Sequence, residues 1–293
     1  MVVLLLVAEG RLSLEDTVER HLPGVVRGNG NDGGSIRIRH LLQNTSGIQD
    51  DLPGYTSAAE YRRRRNDVWS PEQLVARAVG HRPAFAPGQG WAYSNTGFVV
   101  VGRIIERITG RGWPDEVHER ILRPLALTRT TWAGTSAILP TPHARAYQQF
   151  PGEAELVDVT DQVEVVPGLI STTADLARFF LALMDGTLLP PAALAQMRRT
   201  VPVSADVEPI WPGGRYGLGL VERPLSCGGT FWGHDGGDGG YITANGVTGD
   251  GTRCVVVSAS TALGASAESV LRQQRALDTM VDNALSEPDD DAV

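Results

Sequence analysis

Residues 87–110 read PGQGWAYSNTGFVVVGRIIERITG, and the organisation of the whole chain follows from them. A Pro-Gly turn opens the stretch, Tyr93-Ser94-Asn95 follows, and an apolar run punctuated by Arg and Glu comes next. Phe98, Val101, Ile104, Ile105 and Ile108 recur at helical spacing, which predicts a helix with one buried face. Asn95 or Thr96 can cap it, Glu106 and Arg107 fall on its outer side, and Gly110 suits the position just past its end. Tyr93 and Asn95 are thereby placed on a short turn at a helix N-terminus, where free N–H groups and the helix dipole favour negative charge. There a phenol and a carboxamide can act as proton acceptor and amide-binding group. The plainer alternative is that Tyr93 packs on the helix while Asn95 caps it.

The chain has 293 residues, 42% hydrophobic and 20% charged, which is the composition of an ordinary globular protein with ample core. A net charge of −8 and a pI near 5.3 argue against nucleic acid or an anionic membrane as partner. There is no lysine: all 26 basic residues are arginine, as high-GC bacterial coding would give. Residues 1–7, MVVLLLV, lack the basic start and the small-residue cleavage site of a secretion signal, and no segment reaches membrane-spanning length. Residues 1–24 read instead as the end of a buried helix, a break at Gly10 and a short amphipathic segment. Cys227 and Cys254 fall on strands two apart in a meander, roughly 9.5 Å from each other, where a disulfide spans less than about 7 Å. Two free thiols are expected, and no cofactor or metal.

Residues 27–34, RGNGNDGG, read as a loop, and His40 begins a short helix. Arg62, Arg63, Arg64 and Arg65 fall on a helix over 57–66, most simply as a solvated face. Ser70 caps the next helix, with Pro71 at its first position and Leu74, Val75 and Ala78 inward. Another helix covers 114–122. Residues 132–167 are irregular, with short extended pieces near 144–149 and 156–159, and His143 stands there without a partner. Helices follow at about 172–184 and 191–199, the first burying Leu176, Phe179, Phe180 and Leu183. Then strands dominate, at 216–221, 230–234, 240–247 and 253–260, with Gly249-Asp250-Gly251 as a hairpin turn. A helix over 265–285 closes the sheet with Val270, Leu271, Leu277, Val281 and Leu285. Residues 1–285 are read as one domain, helical over about 36–200 and sheet plus closing helix over about 212–285. Residues 286–293 are an acidic, disordered tail.

A second constellation, GHDGGDGG at 233–240, joins two of the expected strands. Its glycines let a ligand approach the backbone, and His234 stands at a strand end where it can reach a cleft. The N–H groups of Gly236 and Gly237 could stabilise an oxyanion. Two plainer readings compete: a glycine-rich hairpin, or one turn of a calcium-binding nonapeptide repeat, which needs several copies.

Tyr93-Ser94-Asn95 followed by His234-Asp235-Gly236 resembles two motifs of the serine D-alanyl-D-alanine carboxypeptidases, which belong with the class C β-lactamases and related esterases. IRIRHLLQNTSGI, LISTTADLARFFLALMDGTLL and RYGLGLVERPLSCGG are also similar to segments of that family, and the likeness runs from residue 1 to about 285. It implies an α/β (α+β) fold of β-lactamase/transpeptidase type, an antiparallel sheet flanked by helices plus a largely helical part, with the cleft between them. It implies a serine hydrolase that acts through an acyl-enzyme on a small peptide, a β-lactam or an ester. Tyr93 would be the general base and His234 would set the electrostatics, while Asn95, Asp235, Gly236 and Gly237 would bind substrate. The family is usually secreted or held at the cell envelope.

Three departures qualify the likeness. The family nucleophile lies in Ser-x-x-Lys at the start of the helix whose remainder is 2–9, so that serine would fall about two turns before Met1. The expectation is therefore a start placed inside the gene or, alternatively, an inactive, degenerate ligand-binding remnant. Asp235 stands where the family has a threonine that binds a terminal carboxylate, and would repel one by roughly 1–4 kcal/mol at about 4 Å. Val221 stands where the carboxypeptidases carry an arginine. A chain beginning at residue 1 is also expected to expose Leu4, Leu5 and Leu6 and to aggregate.

Overall fold

A computed structural model describes residues 1–166 and 168–287. The chain enters through α1 (Val2–Ala8), turns at Gly10 and forms α2 (Val18–His21). The expected loop at 27–34 is a small hairpin, β1 (Arg27–Gly28) with β2 (Asn31–Asp32). Asn29 and Gly30 both take positive φ, the turn geometry that Asn-Gly adopts at least cost. There follow α3 (Ile38–Leu42), α4 (Ala58–Arg64), α5 (Pro71–Val79) and α6 (Asn95–Thr109). In α5 the cap is reciprocal: Ser70 Oγ accepts from Gln73 N, and the Gln73 side chain accepts from Ser70 N.

The helix of the central stretch is α6, with Thr96, Gly97, Val100, Val101, Ile104 and Ile105 buried; Phe98 and Ile108 pack at its margin. It rests on α3 and α5. Its cap is Ser94 rather than Asn95 or Thr96, because Ser94 still has extended backbone and its Oγ accepts from Gly97 N at 3.1 Å. Gly110 closes it in the left-handed conformation, φ +74°.

Next come α7 (Trp113–Val117), continued by one π-helical turn at His118–Leu122, then β3 (Tyr147–Gln149) and β4 (Leu156–Asp158). After α8 (Thr173–Met184) and α9 (Pro191–Met197), the chain turns to strands: β5 (Val201–Pro202), β6 (Arg215–Tyr216), β7 (Val221–Pro224) and β8 (Thr230–Gly233). The last elements are β9 (Gly236–Asp238), β10 (Tyr241–Thr248), β11 (Cys254–Ala259), β12 (Thr261–Leu263) and α10 (Ala267–Ser286). The run 216–221, expected as one strand, is a hairpin: Tyr216 pairs with Val221, and Gly217 N donates to Leu220 O at 2.7 Å across the loop.

The main sheet is antiparallel in the order β11-β10-β8-β7-β6-β5, and β9 pairs with β10 beyond the end of β8. A second sheet, β12-β3-β4, contains one parallel pair. Trp232 and Val247 turn one face of the main sheet toward the large core built by α1, α3, α6, α8 and α9. The opposite face carries Phe231 and Ala244 under Leu277, Val281 and Leu285 of α10. Val270, expected inward, is 47% exposed because it precedes the part of α10 that lies on Phe231. Leu4 and Leu6, expected to be exposed, are buried: α1 is covered by α6 and α9.

Arg62 and Arg63 are solvated as expected, whereas Arg64 pairs with Glu60 and Asp67, and Arg65 donates to Asp161 O. Both cysteines are free. The acidic tail lies outside the described residues beyond Glu287. Among those described, no helix is long and apolar enough to cross a membrane.

Candidate active site

The Tyr93-Ser94-Asn95 turn is clamped from below by the segment that follows α3. Asn44 O accepts from Ala92 N at 3.0 Å and Asn44 Oδ1 accepts from Ser94 N at 3.1 Å. Asn44 is 1% exposed and takes φ +58°, a conformation Asn tolerates better than most residues. Asp50 sits at the N-terminus of α6, where Oδ1 accepts from Thr96 N at 3.1 Å and Oδ2 from Asn95 Nδ2 at 2.9 Å. Tyr93 is thus held through its neighbours Ala92 and Ser94 while its ring lines the cleft. Burial, and then the charge of Asp50, push its phenol above the ordinary value.

His234 stands just past β8, across from Tyr93, with ring centroids 6.0 Å apart. Asn245 of β10 grips both its backbone groups, accepting from His234 N at 3.0 Å and donating to His234 O at 2.7 Å. Gly233 permits that grip, since a Cβ there would lie 2.5 Å from Asn245 O. The hydrogen bonds also fix the ring's tautomer. Nδ1 lies 2.8 Å from the carbonyl of Asp235, which can only accept, so Nδ1 carries the proton. Nε2 is then the acceptor, and the hydroxyl of Tyr216 donates to it at 2.9 Å. Burial lowers the His234 pKa, which favours this neutral form. Tyr216 is fully buried among Trp91 and Trp211, and burial raises its phenol well above the ordinary range.

Tyr93 and His234 line one cleft of about 1070 Å³, together with Asn95, Asp235, Gly236 and Gly237. All six residues anticipated from sequence therefore meet in one place. Gly236 and Gly237 do so as part of β9, paired with Thr243 and Ile242 on one edge; among the described residues the other edge has no strand partner. His40 and His143 do not join them as reactive groups: His40 Nδ1 caps Arg37 N, and His143 Nδ1 donates to Pro140 O at the rim. No three His, Cys, Asp or Glu side chains among the described residues could hold a metal ion.

Asp235 differs from expectation in its surroundings. Its carboxylate accepts from Arg223 Nη2 at 3.3 Å, from Trp211 Nε1 at 3.1 Å and from Gln274 Nε2 at 3.4 Å. The countercharge missing at Val221 is supplied two residues later on the same strand, while Val221 itself packs with Trp91, Trp211 and Tyr216. Sequence reasoning also missed Tyr216, Asn44, Asp50 and Asn245. Only Asn44 had a local signal, its place before Thr-Ser-Gly at the end of a short helix. Tyr216 and Asn245 depend on strand register, and Asp50 on where its loop meets the start of α6, which no spacing rule supplies.

The beta-lactamase family model matches residues 1–279. The chain belongs to that family of serine hydrolases. Among solved structures, it is similar to a D-stereospecific amidohydrolase from Streptomyces sp., 40% identical over 93% of this chain and 82% of that one, with a TM-score of 0.84. A D-amino acid amidase from Ochrobactrum anthropi SV3 shares the fold at TM-score 0.78, with 24% identity over 97% of this chain and 79% of that one. Among curated proteins, penicillin-binding protein 4* of Bacillus subtilis is 27% identical over 82% of this chain. Protein flp of Staphylococcus aureus is 30% identical over 46% of it. The chain spans 53% of the former protein and 26% of the latter.

Proposed function

We propose that the cleft binds a D-amino-acid amide or a related small peptide or ester and hydrolyses it through an acyl-enzyme. The observation that carries this is the pairing of the Tyr93 phenol with a neutral, tautomer-fixed His234 across one cavity. Tyr93 would take the proton of a serine hydroxyl and return it to the leaving amine, the Asn95 carboxamide would hold the substrate amide, and the backbone of Gly237 would face the oxyanion. An amide substrate is favoured over a peptide carboxylate by the likeness to the Streptomyces amidohydrolase and by the negative charge of Asp235, a residue of the cleft lining.

Neither Ser94 nor Ser46 takes the nucleophile's part in this reading. Ser94 is buried with its Oγ committed to Gly97 N, and Ser46 is buried with its Oγ accepting from Ile48 N. A second reading, a ligand-binding protein without hydrolysis, is favoured by one observation: burial and Asp50 hold the proton on Tyr93. Native protein isolated from its own cells separates the two. Turnover of D-alanine p-nitroanilide with a covalent penicilloyl adduct in the intact mass supports the hydrolase. Saturable binding with neither supports the second reading.

A further inference from the structure

We infer that Asp235, held by Arg223, decides which chemical group this end of the cleft accepts: a neutral carboxamide or ester enters, and a carboxylate is turned away. The inference rests on the cleft being the substrate site proposed above. Asp235 follows His234 directly and forms part of the cleft wall. Behind it Arg223, 5% exposed, lies over the ring of Phe231 at 4.8 Å and is shared between two carboxylates, Asp235 at 3.3 Å and Asp278 at 2.8 Å. One guanidinium facing two carboxylates leaves the cluster with surplus negative charge. A ligand carboxylate arriving beside His234 would meet Asp235 first, and the arginine behind it is already engaged. A neutral carboxamide or ester arriving there meets no such repulsion, and needs no bond to the carboxylate, whose oxygens already accept from Arg223, Asn245, Trp211 and Gln274.

The arrangement also stores the opposite preference. Trp211 Nε1 and Gln274 Nε2 donate to Oδ2 of Asp235, while Arg223 Nη2 and Asn245 N donate to its Oδ1. With the charge of Asp235 removed, the guanidinium keeps Asp278 but has Nη2 released toward the cleft. The site would then favour the carboxylate it now excludes.

The test is calorimetric titration of the full chain with N-acetyl-D-alanyl-D-alanine and with its C-terminal amide, two ligands that differ at one end only. For the wild type, the amide should bind about tenfold or more tightly than the acid, near the lower end of what one unit charge about 4 Å away contributes. Asp235→Asn should shrink or invert that ratio, and Arg223→Met added to Asp235→Asn should abolish any gain for the acid. Asp235→Ser, an uncharged residue whose hydroxyl can also accept, serves if the asparagine variant melts early. If the amide binds and the ratio is unchanged in both single variants, the inference falls while the proposed function stands. If neither ligand binds the wild type, the substrate-site reading itself fails and takes the inference with it.

Discussion

The Tyr216 hydroxyl donates to Nε2 of His234 at 2.9 Å, and the Asp235 carbonyl occupies the ring's other nitrogen at 2.8 Å. A side chain placed to face the cleft is therefore held at both nitrogens by the protein itself. Because Tyr216 is fully buried and tied into the Trp91–Trp211 cluster, its hydroxyl has little freedom to turn elsewhere.

Replacing Tyr216 with Phe removes a donor that favours the neutral ring, so the His234 pKa should rise toward its ordinary value. The loss of one buried hydrogen bond should cost about 0.5–1.5 kcal/mol of stability. Long-range ¹H–¹⁵N spectra of the imidazole read both the tautomer and the titration. An unchanged titration curve would refute the role given to Tyr216.

The pH dependence of stability follows from His234. Its folded pKa lies below the unfolded one, so between the two the unfolded chain binds more protons. Stability should be full above about pH 6.5 and should fall as pH drops through that value toward the folded pKa. His234→Gln should flatten that limb in urea melts compared at pH 7.5 and pH 5.5.

Asp238 has the opposite sign. Burial and the neighbouring Glu164 push its carboxyl up to about 6, so ionisation is resisted in the fold and stability declines as pH rises through the interval from the ordinary carboxylate value to 6. Asp238 lies in crowded surroundings yet is exposed as a residue, so solvent screening discounts the burial and should keep the effect below about 1 kcal/mol. Asp238→Asn should therefore stabilise slightly at pH 7.5 and leave the melt at pH 3.5 unchanged.

Asn44 supports the tyrosine turn. Asn44→Ala would orphan the buried Ser94 N–H and place alanine at φ +58°, for a combined cost of about 2–5 kcal/mol. Asn44→Gly relieves the backbone but not the lost acceptor, so it should fall between the two. The Tyr93 ring resonances should shift in both variants, since the turn that carries the ring loses its anchor.

Much of this was legible in the sequence where local rules apply. The 3.6-residue recurrence located α6, and a polar turn before it placed Tyr93 and Asn95 together. The glycine-rich stretch after β8 brought His234 to the same cleft. The cap of α6 was misplaced by one or two residues because Ser, Asn and Thr adjoin there and each can cap. The strand at 216–221 was misread because Leu218 and Leu220 alternate with glycine like a strand, although both are buried at the loop of a hairpin. Arg223, Trp211 and Asn245 could not be found this way. Their partners lie 10 to 55 residues away, and the pairing of β7, β8 and β10, the packing of α10 and the loop before β6 bring them within reach.

Asn245 holds His234 by two backbone bonds from the neighbouring strand, and this makes the histidine a passenger of the β10 register. A slip of one residue in β10 would turn Asn245 to the opposite face and release both bonds at once. That register is closed by the tight turn at Gly249-Asp250-Gly251, far from the cleft, where Asp250 accepts from Thr252 N at 3.0 Å. Sequence changes in a surface hairpin could thus detune the chemistry as surely as changes within the pocket.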